Sequence, residues 1–374
     1  MKYCKRCVMP DTRPGIIFNS TGVCSACISY ERSKTIDWDK RFKEFEALCA
    51  KYRGMHGNSY DCIIAVSGGK DSHFQVHMLK EKLGMNPLLV TVEDNFTMTE
   101  AGKHNLRNIS EEFGCDLISL KPNIRIQKRL MRKMLERDLK PNWYIDRLIY
   151  SYPLFMAIKY DLPLLAYGEN VNYTYGGHSA DDTYSAKEQI NNGVASGIQR
   201  SELIDEVVSA NDLSLLDAPA ENDLKRLDPI YLSYFVPWNS YHNYLFAISR
   251  GFWDLTHEWR RESTFEDFDQ VDSIAYLVHP WLKYPKFGHA MATDYAARFV
   301  RYGILTRREA VELVKKHDHR LDSLALRDFL DFTGYTAKQF WAAVEKFWNK
   351  EIFEKKDGQW VMKPELQALR ENPQ

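Results

Sequence analysis

The hydrophobic and polar positions of this chain follow two different periods. Residues 38–52 place apolar side chains at helical spacing, which predicts a helix linking the first residues to the rest of the chain. Four short apolar runs then predict buried strands, and three amphipathic stretches predict helices between them. The runs are 62–66, 87–92, 116–120 and 162–167, and the stretches are 71–82, 100–113 and 124–139. This alternation predicts an α/β fold with a parallel sheet that is covered on both faces and binds ligands at the carboxyl ends of its strands.

The pattern loosens after residue 171. Residues 172–182 are rich in Gly, Asn, Asp and Tyr and predict a long loop, whereas residues 230–236 are apolar and predict a further strand. The remainder of the chain has mainly helical patterning, with helices expected at 293–302 and 306–316. A capping box, formed by a Thr followed three residues later by Glu, begins the second of these. A helical C-terminal region is therefore expected.

Composition and charge narrow the class of protein. The 374 residues are 44% hydrophobic and 27% charged, which is ordinary for a soluble globular protein. The 50 Lys and Arg residues balance 51 Asp and Glu residues, and the net charge of −1 gives no indication of a nucleic-acid partner. No apolar run reaches the roughly 18 residues of a membrane span, and the first residues are polar, so a cytoplasmic protein is predicted.

Four of the seven cysteines lie in the first 27 residues, as two CxxC pairs. Cys4, Cys7, Cys24 and Cys27 have the spacing of a tetrahedral four-thiolate zinc site, in which each pair presents two sulfurs from a tight turn. The turn-rich segment between the pairs could not bury a core of its own, so bound Zn²⁺ would supply the stability. Disulfides are the alternative, which a reducing cytoplasm disfavours. The other three cysteines are expected to be small buried side chains.

One hexapeptide between a predicted strand and a predicted helix carries the clearest chemical signal. It consists of Ser67, Gly68, Gly69, Lys70, Asp71 and Ser72. Glycines allow the backbone to approach an anion closely, and successive N–H groups at the start of a helix bind phosphate. The serines add hydroxyl donors, Lys70 adds positive charge, and Asp71 could position Mg²⁺. The spacing of a Walker loop is absent, which argues against γ-phosphoryl transfer.

Placed after a hydrophobic strand, this hexapeptide resembles the pyrophosphate loop of the N-type ATP pyrophosphatases, over roughly residues 58–180. The resemblance implies a PP-loop domain of the adenine nucleotide alpha hydrolase type that binds ATP and Mg²⁺, releases pyrophosphate and transfers AMP to a substrate oxygen. Lys70 and Asp71 are then the expected catalytic residues. The residues expected on the nucleotide side are Val92, Glu93 and Asn95 after the second strand, and Gly168, Glu169 and Asn170, where several relatives have Gly-His-Asn.

The layout of the whole chain resembles the N-acetyl sugar amidotransferases of bacterial O-antigen and related surface-sugar biosynthesis. The resemblance rests on the two CxxC pairs directly before the loop, on residues 168–170 and on the segment 286–294. It implies that an acetamido group of a nucleotide-linked sugar becomes an acetamidino group. Adenylation would turn the amide oxygen into a leaving group that ammonia displaces with AMP. Substrate contacts are expected from Lys286, Asp294 and Arg298, and a lid contact from His178.

The same resemblance implies a source of ammonia. The sequence has no evident Cys-His-Glu glutaminase assembly, so a separate glutaminase subunit with a synthase-like barrel subunit is the expected partner. The organisation expected from the whole chain is a zinc ribbon at 1–35, a linking helix at 36–57, the PP-loop domain at 58–250 and a helical substrate or partner region at 251–374.

Several alternatives stay open. A tRNA-thiolating enzyme could join a zinc ribbon to the same ATP domain, although the net charge and the lack of a further CxxC pair argue against it. A non-catalytic adaptor would not be expected to keep an intact hexapeptide. The seven Lys and Arg residues of 125–140 could form a solvated face or a site for a diphosphate or a partner. Trp238, Tyr241, His242 and Tyr244 could stack on a uridine or a sugar, or belong to an aromatic core.

Overall fold

A five-stranded parallel sheet organises the middle of the chain. The structure is a computed structural model that describes residues 1–55, 57, 59–177, 182–191 and 198–373. The strands are β1 Cys62–Ala65, β2 Pro87–Val92, β3 Leu117–Leu120, β4 Leu164–Tyr167 and β5 Asp228–Tyr231. They lie in the order β3-β2-β1-β4-β5, and each neighbouring pair is parallel. The predicted α/β class is confirmed, and the strand order reverses at β1, where such sheets open a crevice for ligands.

Helices cover both faces of the sheet and form most of the C-terminal region, as predicted. They are α1 Ser25–Ser33, α2 Trp38–Tyr52, α3 Lys70–Val76, α4 Glu100–Phe113, α5 Ile124–Asp138, α6 Trp143–Lys159, α7 Val171–Tyr175, α8 Arg200–Leu203, α9 Glu221–Arg226, α10 Leu232–Phe235, α11 Ser240–Ile248, α12 Val278–Trp281, α13 Lys283–Phe287, α14 Met291–Tyr302, α15 Arg307–His317, α16 Ser323–Thr333, α17 Ala337–Glu345 and α18 Pro364–Glu371. A π-helical turn, His77–Lys82, continues α3.

The helix ends follow the side chains that satisfy them. The Thr99 hydroxyl caps α4 by accepting a hydrogen bond from the N–H of Gly102, and Gly114 ends the helix in the left-handed conformation. The predicted capping box of Thr306 and Glu309 is present at the start of α15. These local signals explain why the predicted and observed bounds agree so closely there.

Three predictions need correction. The segment 172–182 was expected to be a loop, but its first residues belong to α7, Val171–Tyr175. The apolar run 230–236 was expected to be a strand, but β5 ends at Tyr231, because Leu232–Phe235 turn into α10 and the N–H of Ser233 donates to the carbonyl of Gly168. The helical C-terminal region also contains an antiparallel hairpin of β6 Phe353–Lys356 and β7 Gln359–Met362. Among the described residues, the helices are all too short or too polar to cross a membrane.

The N-terminal residues pack on the far end of the chain. The four cysteines share one buried cluster with Ala296 and Ala297 of α14 and with Ala310 and Val311 of α15. Small side chains on these helices allow the cysteine-bearing turns to approach closely. The first residues of the chain therefore lie beside the C-terminal helices, at the carboxyl edge of the sheet.

Candidate functional site

The four N-terminal cysteines form a compact group of sulfurs. Their ligand atoms all lie within 4.8 Å of one another and are buried, with Sγ–Sγ distances of 4.0 Å between Cys4 and Cys27 and 3.7 Å between Cys7 and Cys24. A tetrahedron with Zn–S bonds of about 2.3 Å has edges of about 3.8 Å. The main-chain N–H groups of Arg6, Cys7 and Cys24 point at the Cys4 sulfur, which stabilises a thiolate. The donor set therefore fits Zn²⁺, and all seven cysteines of the chain are free of disulfides.

The 67–72 loop lies between β1 and α3, as predicted. The N–H of Ser67 donates to the Ser72 hydroxyl at 3.0 Å, and the N–H of Gly69 donates to the Ser67 hydroxyl at 3.2 Å. Gly68 has φ +86°, and an added Cβ there would lie 3.0 Å from the backbone of Leu106 in α4. Only glycine fits that conformation and that contact. The loop is thereby held against α4, with the first N–H groups of α3 left for an anion.

Lys70 is buried beneath the loop and paired with two carboxylates. Its Nζ lies 2.7 Å from Oδ2 of Asp71 and 3.1 Å from Oδ1 of Asp269. Burial by itself lowers the pKa of Lys70, but the two carboxylates outweigh it and hold the pKa above its ordinary value. The other oxygen of Asp71 accepts from Asn243 at 2.7 Å. Lys70 therefore fixes the position of Asp71 at the mouth of the loop.

A small cavity of about 180 Å³ opens beside this pair. Glu169, at the end of β4, lines it and accepts a hydrogen bond from the Tyr175 hydroxyl. Burial, and then the nearby Asp71, raise the pKa of Glu169 to about 7. Arg298 closes the opposite side, stacked 3.9 Å above the Tyr175 ring and 3.6 Å from Asp269. The cavity is therefore lined by more carboxylates than cations, and its one guanidinium is held in a fixed position.

The predicted nucleotide-side residues divide into two groups. Val92, Glu93, Gly168 and Glu169 line a larger cavity of about 1200 Å³ that also reaches the loop. The other two residues serve the fold. The Asn95 amide donates to the carbonyl of Pro122 and to Gln127, and the Asn170 side chain caps α7. Neither is among the residues that line the cavity.

The residues expected to contact a substrate lie along the same larger cavity. Lys286, Asp294 and Arg298 line it, and Asp294 is paired with Lys283 of α13 and, at 2.7 Å, with Arg13 of the N-terminal segment. These two cations hold the pKa of Asp294 below its ordinary value although its burial acts to raise it. His178, the predicted lid residue, lies outside the described residues.

A buried polar group sits deep in the larger cavity. Asp146 of α6 accepts from the Tyr276 hydroxyl at 3.1 Å, and its second oxygen, with no hydrogen-bond partner among the described residues, lies 3.8 Å from Nε2 of His279. Burial raises the pKa of Asp146 to about 7 and lowers the pKa of His279 to about 3. A carboxyl that stays protonated below pH 7 and a neutral imidazole therefore face the ligand space.

Two alternatives from the sequence can now be decided. Most cations of α5 have partners outside the cavity: Arg129 and Lys133 pair with Asp205, Arg137 pairs with Glu202, and Lys128 and Arg132 lie over aromatic rings. Tyr241 and Tyr244 pack on Phe268 in an aromatic core. Trp238 lines the cavity and His242 is exposed.

Sequence reasoning missed the segment that faces the loop. Asp269 and Asp272 come from an acidic and aromatic stretch that matches no motif, and a β-bridge between Met98 and Ser273 holds it against the segment between β2 and α4. Asp146 and His279 were missed as well, since a single acid or histidine in an apolar stretch is more often structural. These residues are brought to the loop only by contacts distant in sequence.

Comparison with known proteins adds a family assignment for part of the chain. Residues 262–367 match the family described as "LPS biosynthesis protein WbpG-like, C-terminal domain". This match confirms the predicted resemblance to proteins of lipopolysaccharide biosynthesis. The matched segment supplies Asp269 to the small cavity and His279, Lys286 and Arg298 to the larger one.

The other similarities are more limited. An uncharacterized protein of Methanocaldococcus jannaschii, MJ1599, is 31% identical over 147 residues, which are 39% of this chain. The chain spans about half the length of that relative, 51%. The structure of NMN synthetase from Francisella tularensis has a TM-score of 0.30 at 11% identity, covering 82% of this chain and 96% of that one. A predicted tRNA methyltransferase subunit from M. jannaschii has a TM-score of 0.25 at 17% identity, covering 46% and 93%. Superpositions this poor support no conclusion.

Proposed function

We propose that the protein is an ATP-dependent, AMP-forming amidotransferase that converts an acetamido group of a nucleotide-activated sugar to an acetamidino group in lipopolysaccharide O-antigen biosynthesis. The observation that carries the proposal is a single cleft lined both by the 67–72 loop and by the WbpG-like segment. A cleft shared in this way supports a reaction in which ATP activates a sugar substrate.

The chemistry explains why ATP is needed. The acetamido oxygen attacks the α-phosphate of ATP, and the bond to the β-phosphate breaks as pyrophosphate leaves. Ammonia then adds to the imidate carbon, and the C–O bond breaks with its electron pair going to AMP. An amide oxygen is a poor leaving group and AMP is a good one, so adenylation makes the displacement feasible. The protein's task is to align the two ligands and stabilise phosphate charge.

The residues of the small cavity are suited to that task. The N–H groups that begin α3 and the guanidinium of Arg298 would hold the departing pyrophosphate. Asp71 and Glu169 offer the carboxylate oxygens that Mg²⁺ prefers, and bound Mg²⁺ would neutralise phosphate charge. Burial, and then Asp71, raise the pKa of Glu169, and a divalent cation bound between the two carboxylates would favour their charged forms.

The remaining predicted features complete the proposal. The ribbon at 1–35 holds a structural Zn²⁺, residues 36–57 link it to the PP-loop domain at 58–250, and residues 251–374 bind substrate or partner. A glutaminase subunit with a synthase-like barrel subunit supplies ammonia, and the reaction takes place in the cytoplasm. Four sulfurs leave Zn²⁺ no open position, so the metal has no part in the chemistry.

The test is mass spectrometry of reactions that contain ATP, Mg²⁺, ammonium and a panel of nucleotide-linked di-N-acetylated sugars. The expected product is lighter than its sugar by the difference between O and NH, with AMP and pyrophosphate formed in equal amounts. The absence of this shift across the panel, with AMP appearing only when tRNA is added, would overturn the proposal in favour of a tRNA-modifying enzyme.

A further inference from the structure

Three lysines converge at the end of the larger cavity that lies away from the loop. Lys140 follows α5, and Lys283 and Lys286 stand three residues apart on α13, so they share a helix face. All three line the 1200 Å³ cavity, and none lines the small cavity beside the loop. We call this group, with His279 between its members, the lysine corner.

The positive charge of the lysine corner is poorly compensated. Within the described part of the chain, the Lys286 ammonium donates hydrogen bonds only to the main-chain carbonyls of Asp138 and Leu139, each at 3.2 Å. The Lys140 ammonium has no hydrogen bond or ion pair with the part of the chain that the structure describes. Lys283 shares the carboxylate of Asp294 with Arg13. Lys283 and Arg13 therefore share one carboxylate, and Lys140 and Lys286 form no ion pair with the described residues.

The titration behaviour agrees with this geometry. Burial and then the neighbouring Lys140 and Lys283 lower the pKa of Lys286, and Asp138 raises it by less. Together they bring this pKa to about 8. The same three lysines add to the effect of burial in lowering the pKa of His279. Like charges gathered in a cleft cost free energy until an anion binds among them.

The size of the cleft leaves room for such an anion beside ATP. Ligand pockets usually measure about 300–1,000 Å³, and this cavity of about 1200 Å³ exceeds that range. At the loop end, Lys70 and Arg298 already pair with Asp269. The lysine corner is where cations of the cleft remain available to a second ligand.

We infer that Lys140, Lys283 and Lys286 bind the diphosphate of a nucleoside diphosphate carried by the substrate. The inference rests on the proposed function only in taking the sugar to be nucleotide-linked. The diphosphate carries two or three negative charges, which match the three ammonium groups. A diphosphate held at the lysine corner, away from the loop, would direct the sugar toward the α-phosphate of ATP. A carboxylate on the sugar ring could supply the same negative charge, so the test separates these two sources.

The experiment is calorimetric titration of the zinc-loaded, full-length protein with UDP, after the ATP site has been filled with α,β-methylene-ATP. Lys140→Met and Lys286→Met, which keep an unbranched side chain, are each expected to weaken UDP binding about tenfold or more. Lys128→Met is the matched control, because Lys128 lies on α5 over the ring of Phe332 and outside the cavity. Affinity for α,β-methylene-ATP should be unchanged in all three variants.

Three results would overturn the inference. UDP could bind equally well to all variants, or it could compete with α,β-methylene-ATP and so occupy the ATP site. UDP could also fail to bind while glucuronate binds and depends on Lys140, which would assign the corner to a sugar carboxylate. UDP binding is measured without turnover. If UDP binding depends on the lysines but the wild type forms no acetamidino product, the proposed function is therefore overturned and the diphosphate subsite still stands.

Discussion

The two ends of the cleft balance their charges in opposite ways. At the loop end, Lys70 is buried between Asp71 and Asp269, at 2.7 and 3.1 Å, and Arg298 also faces Asp269. At the lysine corner, Lys140 and Lys286 form no ion pair with the described residues, and the Lys286 ammonium donates to main-chain carbonyls. At the loop end the cations already have carboxylate partners before any ligand binds, whereas at the lysine corner they gain their counter-charge from the ligand.

This difference separates two kinds of task. A group that stabilises a transition state acts best when it is already fixed, because no free energy is spent on reorganisation during the reaction. A group that recognises a substrate gains affinity when the ligand relieves existing repulsion. Removing charge should therefore be harmful at the loop end and nearly harmless to the free protein at the lysine corner.

The largest expected effect is at Asp71. Asp71→Ala should reduce AMP formation by about 10²–10³-fold, because the loop would lose the carboxylate fixed by Lys70 and Asn243. The assay is AMP release under the conditions of the mass-spectrometric test, together with zinc content, which should not change. Asp71→Asn keeps the size of the side chain and should show the same loss. Asp331→Ala, at an exposed position of α16, is the control. Retained turnover in both Asp71 variants would remove this residue from the site.

The next effect is a pH dependence set by Asp146, which lies beside the lysine corner. Burial raises its pKa from 3.8 to about 7, so the folded state favours the protonated acid. The stability that this provides is present below pH 3.8 and is lost as the pH rises through 7. Between pH 5 and 7 the wild type should lose about 2 kcal/mol of unfolding free energy relative to Asp146→Asn.

Urea unfolding at pH 5, 6 and 7 measures this difference. Asp331→Asn, at a surface position, should follow the wild type across the range. A constant gap between the wild type and Asp146→Asn would mean that Asp146 is ionised in the folded protein. The carboxylate would then compensate Lys140, and the contrast between the two ends would weaken.

A similar loss is expected at Asp269, the residue that joins Lys70 to Arg298. Asp269→Asn leaves the buried ammonium with Asp71 alone, and breaking a buried pair in this way should cost about 2 kcal/mol of unfolding free energy. The pKa of Asp269 is lowered, since Lys70 and Arg298 outweigh its burial. The stabilisation is therefore present above the unfolded pKa and is lost as the pH falls. Denaturant unfolding of the free protein at pH 7.5 checks the value, and an unchanged midpoint would show that the loop end is not a closed network.

The sequence predicts the elements of the fold better than the partners of the site. Helix α4 was predicted with its observed bounds, because Thr99 and Gly114 mark its ends locally. Helix α6 was missed, because it is apolar on all sides and contains Pro153. The β6-β7 hairpin carried a recognisable signal in Asp357-Gly358, both at positive φ, as a tight hairpin turn requires.

For the site, each local motif predicted only one residue of an interacting pair. The hexapeptide identified Lys70 and Asp71, but Asp269 lies about two hundred residues away and has no motif of its own. Lys286 was predicted from the resemblance, whereas its relation to Lys140 depends on how α13 meets the end of α5. Periodicity reports which face of an element is buried, and it does not report which two elements meet.

The smallest expected effect provides the most direct test of the contrast. Lys140→Met removes an ammonium that forms no ion pair with the described residues, so the free protein should be unchanged or more stable by roughly 0.5 kcal/mol. The sign should reverse when UDP is present at saturation, because the ligand then stabilises the wild type more than the variant. Thermal unfolding with and without UDP measures both values, with Lys128→Met as the control that should not reverse. A destabilisation of the free protein comparable to that of Asp269→Asn would show that the lysine corner is also a completed network, and the two ends of the cleft would then be alike.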